Sequence, residues 1–193
     1  MNVAVFCSAS DGLSPMFYSE AELIGEALAE AGHGVVYGGC TAGCMGTLAR
    51  GALSRKGRLI GVVPEMDFME GIVEPGLTET HKVPNLSARK EAMIRLSDAF
   101  LVYPGGLGTL DEALEVLALK SCGNLQKPVI IYNFLGVWTP LLETLELLCE
   151  QNLVRQPLSE LLHVLDKPAL LKEYLGNVLG PAQLSQTQLA QQR

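Results

Sequence analysis

Short apolar runs alternate with longer stretches in which apolar residues recur every three or four positions. Unbroken apolar runs are typical of buried parallel strands, and the longer period is typical of amphipathic helices. The runs predict strands at 3–7, 35–37, 59–63, 81–83, 98–103, 128–132 and 162–165. The stretches between them predict helices at 15–31, from the 38–46 turn to about 55, at 86–96, from the 104–108 turn to about 121, at 137–150 and at 169–175.

This alternation predicts an α/β fold with a doubly wound, Rossmann-like, mostly parallel sheet and helices on both of its faces. Segment 65–84 lacks a sustained period and is expected to form a loop or short helix over a pocket mouth. We expect one domain over 1–180. A flexible, glutamine-rich tail is expected over 181–193.

Three turns of small residues follow the first, second and fifth predicted strands, at 8–12, 38–46 and 104–108. In open parallel sheets, ligands bind at the carboxyl ends of the strands, where the strand order reverses. The economical prediction is one pocket lined by all three turns. None of the turns has the spacing of a dinucleotide fingerprint or of a phosphate-binding P-loop.

The third turn brings three glycines, Gly105, Gly106 and Gly108, to the start of a helix. Glycines let a ligand approach the backbone closely, and a helix N-terminus offers free N–H groups to a phosphate. Thr109 and Glu112 have the spacing of a capping box, with Thr109 as the N-cap. Alternatively, Glu112 is a carboxylate at the mouth of a phosphate pocket, available for chemistry.

Two adjacent basic residues, Arg89 and Lys90, lie near the start of the helix at 86–96, which either Asn85 or Ser87 could cap. Basic side chains oppose the helix dipole at this end. The pair is either a solvated surface feature or a clamp for an anion, in which arginine grips phosphate or fixes a carboxylate.

The chain has 193 residues and a net charge of −7. A negative chain argues against broad binding of nucleic acid or acidic membranes. No apolar stretch reaches the length of a membrane span, and the N-terminus does not resemble a signal peptide, so a cytoplasmic protein is expected.

Five cysteines at irregular spacing suggest reduced thiols. Cys40 and Cys44 have no second Cys or His pair nearby, so no metal site is expected.

Two strings carry a resemblance to a known family. They are Ser87-Ala88-Arg89-Lys90-x-x-Met93 and Pro104-Gly105-Gly106-Leu107-Gly108-Thr109-x-x-Glu112, with Ser97-Asp98-Ala99-Phe100 between them. Together they resemble the Lonely Guy family of cytokinin riboside 5′-monophosphate phosphoribohydrolases, long labelled lysine decarboxylases. The turns after the first two strands resemble the family's two earlier loops, and the similarity covers about 3–150.

The resemblance implies hydrolysis of the N-glycosidic bond of a nucleoside 5′-monophosphate, such as AMP or an N6-modified AMP. It implies Arg89 and Glu112 as catalytic residues. It also implies that the nucleotide is held by Ser8, Gly39, Lys90, Gly105, Gly106, Gly108 and Thr109. Neither metal nor organic cofactor is implied, and a homodimer is expected.

Two departures from the family concern the preferred base. The family often has Met-His where this chain has Leu86-Ser87, and its second loop is usually richer in glycine than the loop holding Cys40 and Cys44.

Two other functions are alternatives to hydrolysis. A non-catalytic nucleotide or cofactor carrier on the same fold would keep the glycine turns but could lose the Arg/Glu pair, which this chain retains. Lysine decarboxylation fits poorly, because no lysine stands in a context typical of a pyridoxal phosphate Schiff base.

Overall fold

The computed structural model describes residues 1–177, and the predicted tail at 181–193 lies outside them. Within this range, seven strands form one parallel sheet in the order β4-β3-β2-β1-β5-β6-β7. The strands are β1 Asn2–Phe6, β2 Gly34–Tyr37, β3 Leu59–Pro64, β4 Glu79–Val83, β5 Ala99–Val102, β6 Val129–Tyr132 and β7 His163–Leu165. The doubly wound α/β fold predicted from the sequence is confirmed.

Helices cover both faces of the sheet. They are α1 Pro15–Glu30, α2 Gly43–Ser54, α3 Leu86–Leu96, α4 Leu107–Ser121, α5 Thr139–Glu150, α6 Leu158–Leu161 and α7 Pro168–Asn177. Alternate residues of β1 point to opposite faces: Val3 and Val5 join a core with α1, α2 and α7, whereas Ala4 and Phe6 join a core with α3, α4 and α6. The strands are therefore buried on both sides, which explains their unbroken apolar runs.

Most predicted boundaries agree with the structure to within two residues. Helix α5 begins at Thr139 rather than 137 because the chain first makes a short 3₁₀ turn at Phe134–Gly136. The side-chain Oδ1 of Asn133 then accepts a hydrogen bond from the backbone N–H of Trp138, at 2.8 Å. Helix α6 was not predicted, and α4 begins three residues earlier than expected.

Segment 65–84 contains a 3₁₀ turn at Asp67–Met69 and then β4. The N–H of Thr41 donates to the carbonyl of Ile72 at 2.8 Å, and the N–H of Glu74 donates to the carbonyl of Gly39 at 2.9 Å. These bonds attach the segment to the turn after β2, at the edge of the sheet where the pocket was expected.

The strand order reverses between β1 and β5. From β1 the chain winds outward through β2, β3 and β4, and it then returns to β5 on the other side of β1. The loops that follow β1 and β5 therefore diverge onto opposite faces and leave a crevice at the carboxyl ends of these two strands. This crevice determines where a ligand site can form.

Candidate active site

The three small-residue turns meet at the carboxyl edge of the sheet. The N–H of Ser8 donates to the carbonyl of Pro104 at 3.3 Å, and the carbonyl of Ser8 accepts from the N–H of Met45 at 3.2 Å. The turn after β1 is thus bonded to both of the others, as the topology predicts.

A cavity of about 270 Å³ opens at this edge. It is lined by Ser8, Ser10, Leu13, Phe17, Pro104, Gly105, Gly106 and Val137. These residues come from the first and third turns, from α1 and from the segment before α5. The prediction of one pocket lined by all three turns is therefore wrong for this cavity. The second turn packs behind the first, where a Cβ on Gly43 would lie 2.6 Å from the backbone of Ala9.

The third turn enters α4 without a side-chain cap. Gly106 is the N-cap and Leu107 the first helical residue, so the predicted capping box of Thr109 and Glu112 is wrong. The helix begins three residues before the start that a Thr109 cap would give. Gly105 permits this because it packs against the buried Thr109 side chain: a Cβ on residue 105 would lie 2.1 Å from Thr109 Oγ1. Glu112 consequently lies in the second turn of the helix and is free to make other contacts.

Glu112 pairs with Arg89. The Nη2 atom of Arg89 donates to Oε1 of Glu112 at 2.8 Å, and the two side chains are 13% and 3% exposed. Helix α3 holds the arginine in place, and its start is capped by Asn85, whose Oδ1 accepts from the N–H of Ala88 at 2.9 Å. Of the two predicted caps, Asn85 is the one that forms. The structure thus brings together the two residues that were predicted to be catalytic.

Burial dominates the electrostatics of Glu112 and raises the pKa of its carboxyl to about 7. The Arg89 guanidinium opposes this shift of the Glu112 pKa, as does Lys90 more weakly, whereas Asp111 adds to it. A carboxyl with a pKa near neutrality, at the carboxyl edge of a parallel sheet, is typical of an acid–base catalyst.

Lys90 contacts two acidic residues of α4. Its Nζ lies 2.9 Å from Oδ1 of Asp111 and 2.7 Å from Oε2 of Glu115. These carboxylates were missed from the sequence, although residues four apart on a helix share a face and their spacing was visible. The two acids raise the pKa of Lys90 and keep it charged, which does not fit a lysine that forms a pyridoxal phosphate Schiff base.

The remaining predicted ligand residues lie at the same edge, and their substrate contacts stay predictions. Ser8 Oγ accepts a hydrogen bond from the N–H of Ser10 at 3.0 Å. Gly39 has a φ of +77°, and a Cβ there would lie 2.6 Å from Val63 Cγ2, so the backbone itself requires glycine. Gly106 and Gly108 face space in which a Cβ would meet no atom within 4 Å.

Three of the five free cysteines, Cys7, Cys40 and Cys44, are buried beneath these turns. Burial raises the pKa of the Cys7 thiol, and it raises that of Cys44 to about 11. Among residues 1–177, no group of three His, Cys, Asp or Glu side chains is arranged to hold a metal ion. Nor does any helix in this range have the length and apolar character needed to cross a membrane.

Comparisons with solved structures identify the fold. The molybdenum cofactor carrier protein of Chlamydomonas reinhardtii superimposes with a TM-score of 0.71 at 21% identity, covering 92% of this chain and 97% of that one. At this identity the likeness concerns the fold alone.

Comparisons of sequence go further. A family model described as possible lysine decarboxylase matches residues 45–175. The cytokinin riboside 5′-monophosphate phosphoribohydrolase of Rhodococcoides fascians is 40% identical over 146 residues, which is 75% of this chain and 74% of the relative. An Arabidopsis thaliana protein of the same name is 33% identical over 79% of this chain and 70% of its own length. The chain with the buried Arg89–Glu112 pair therefore belongs to the Lonely Guy family.

Proposed function

We propose that this protein hydrolyses the N-glycosidic bond of a nucleoside 5′-monophosphate, releasing the free base and ribose 5-phosphate. The observation that carries the proposal is the buried Arg89–Glu112 pair next to an uncapped helix N-terminus. Family membership supports it, since the relatives named above are phosphoribohydrolases. AMP and N6-modified AMP are the proposed substrates.

The 5′-phosphate binds at the first turn of α4. Helix N-termini bind anions through free N–H groups and the helix dipole, and no side chain caps this one. The open space beside Gly106 and Gly108 admits the phosphate to the backbone. The remaining contacts of the nucleotide are made by Ser8, Gly39 and Thr109, which lie along the crevice.

Glu112 lies at a suitable distance for chemistry on the ribose. It follows Leu107 by five residues, which places it about 7.5 Å further along the helix axis. This is the scale of the ribose between its 5′-phosphate and its anomeric carbon. A phosphate on the first turn therefore brings the anomeric carbon towards the carboxylate.

The reaction uses one water molecule and no further reactant. The bond between the anomeric carbon and the base nitrogen breaks, and the base leaves with the electron pair, so the sugar becomes an oxocarbenium-like cation. The Glu112 carboxylate stabilises this cation and accepts a proton from the water that attacks the anomeric carbon. That proton passes to the departing base. Arg89 orients the carboxylate and opposes the rise of its pKa, which increases the fraction that is ionised near neutral pH.

A nucleotide panel tests the proposal. The protein is incubated with AMP, N6-isopentenyl-AMP, GMP and CMP, and free base and ribose 5-phosphate are quantified by chromatography. We expect hydrolysis of at least one monophosphate and none of adenosine, which lacks the phosphate. Tight binding of every nucleotide without release of base would instead support a carrier.

Two further parts of the proposal concern the state of the protein. We expect a homodimer. Three of the five leucines of α5 pack partly against the core, but Leu147 is 53% exposed, and this exposed apolar side chain supports a contact with a second copy. Analytical ultracentrifugation showing only monomer would contradict it. We also place the protein in the reducing cytoplasm, which its five free cysteines support.

A further inference from the structure

Two parallel ionic links join α3 to α4. Two consecutive residues of α3 pair with different acidic residues of α4. Arg89 pairs with Glu112. Lys90 pairs with Asp111, which precedes Glu112, and with Glu115, which lies one turn further along α4 than Asp111. Long charged side chains therefore span the space between the two helices at this point.

In the ion pairs of Lys90, the lysine is more buried than either of its acidic partners. The Lys90 side chain is only 17% exposed, whereas Glu115 is 30% exposed and Asp111 is 62% exposed. Asp111 and Glu115 are four residues apart and would repel each other without a cation between them. A partly buried ammonium shared by two carboxylates is thus held at one position between the helices.

The sequence predicts a substrate contact for Lys90, but the geometry suggests a different role. We propose that Lys90, held by Asp111 and Glu115, is a positioning residue that fixes α4 against α3 so that Arg89 meets Glu112. The proposal rests on the proposed function above. Its distinguishing feature is that Lys90 acts on the catalytic carboxyl and not on the phosphate.

The charges around Glu112 give this role a measurable signature. The groups that face its carboxyl are Arg89 and Lys90 from α3, Asp111 from α4 and the thiol of Cys7, the residue that follows β1. Lys90 lowers the pKa of Glu112 and Asp111 raises it. Removing the lysine charge should therefore move the titration of Glu112 to higher pH, and removing the Asp111 charge should move it to lower pH.

The experiment compares Lys90→Met, Lys90→Arg and Asp111→Asn. Arg58→Met serves as the control, since it breaks an ion pair between the residue before β3 and Glu79 at the start of β4. For Lys90→Met we expect kcat to fall about 10-fold through misplacement of the catalytic pair, with the acid limb of the rate profile shifted to higher pH. KM and inhibition by inorganic phosphate should change less than about twofold, and Lys90→Arg should recover most of kcat.

A second readout needs no substrate. In protein labelled with ¹³C at glutamate, the Glu112 carboxyl carbon is titrated by NMR in each variant. Opposite shifts in Lys90→Met and Asp111→Asn show that Lys90 acts on the Glu112 carboxyl even if no nucleotide is cleaved, which separates this inference from the proposed function. Weaker phosphate inhibition with an unchanged titration would identify Lys90 as a phosphate ligand and overturn the inference. Should Lys90→Met fail to fold, Lys90→Gln takes its place, and an unchanged titration of Glu112 in that variant also overturns the inference.

Discussion

Replacing Glu112 by glutamine should abolish activity while removing a pH-dependent loss of stability. The carboxyl pKa rises from 4.5 to about 7 in the folded protein. Between these values the folded state holds a proton that the unfolded state has lost, so stability falls as pH rises through this window. A shift of about 2.5 units corresponds to about 3 kcal/mol, because each unit is worth 1.36 kcal/mol. Glutamine cannot ionise, and Glu112→Gln therefore lacks this decline.

Urea unfolding at pH 4.5 and pH 8 measures the effect as a difference of differences. The free energy of unfolding of Glu112→Gln minus that of wild type should be larger at pH 8 than at pH 4.5 by up to about 3 kcal/mol, because only wild type loses stability over this range. Any effect of the substitution that does not depend on pH cancels. The same protein should hydrolyse AMP at least about 100-fold more slowly than wild type.

Glu91→Gln is the matched control, because it makes the same change at an exposed position on α3. Its activity should be unchanged, and its stability should follow wild type at both pH values. Two results would refute the reasoning. Near-normal turnover by Glu112→Gln would remove Glu112 from the mechanism. If the free energies of unfolding of Glu112→Gln and wild type changed with pH in parallel, ionisation of the Glu112 carboxyl would not destabilise the folded protein.

Other substitutions test the remaining contacts. Arg89→Met should lower kcat/KM about 100-fold and move its acid limb above pH 7, since the guanidinium lowers the pKa of the carboxyl that we propose to be catalytic. Gly105→Ala should lower the free energy of unfolding by about 1–3 kcal/mol in urea, because its Cβ collides with a threonine hydroxyl. Gly108→Ala has room and should gain up to about 1 kcal/mol of stability, yet raise KM because its methyl enters the phosphate space. Tyr132→Phe, which loses the buried hydrogen bond from its hydroxyl to Glu20, should cost about 1–3 kcal/mol in urea with kcat unchanged.

The fold could be predicted because its signals are local. Parallel strands buried on both faces produce unbroken apolar runs, and the helices between them keep one apolar face, so each element is visible in its own segment. Asn85 was a recognisable cap for the same reason, since a cap needs only the following three residues.

The site was predicted less completely because its contacts join distant segments. The pairing of Lys90 with Asp111 and Glu115 depends on how α3 packs beside α4, which no local pattern records. For Thr109 and Glu112, a local pattern was present but misleading. Their spacing fits a capping box, but the glycines before them let the helix begin earlier, so the box does not form. The helix starts at Leu107, and Glu112 is left to pair with an arginine 23 positions earlier.

The shared fold explains why binding and cleavage can be separated by one residue. In the proposed mechanism, the α4 N-terminus at the strand reversal binds the phosphate whether or not chemistry follows, and the molybdenum cofactor carrier protein named above has the same fold. The proposed cleavage additionally requires an anionic side chain one ribose length from the phosphate. Glu112→Gln should therefore bind AMP with an affinity close to that of wild type, as measured by calorimetry, and release no adenine. Loss of both binding and cleavage would mean that the carboxylate helps to build the nucleotide site, and the two functions could not be divided in this way.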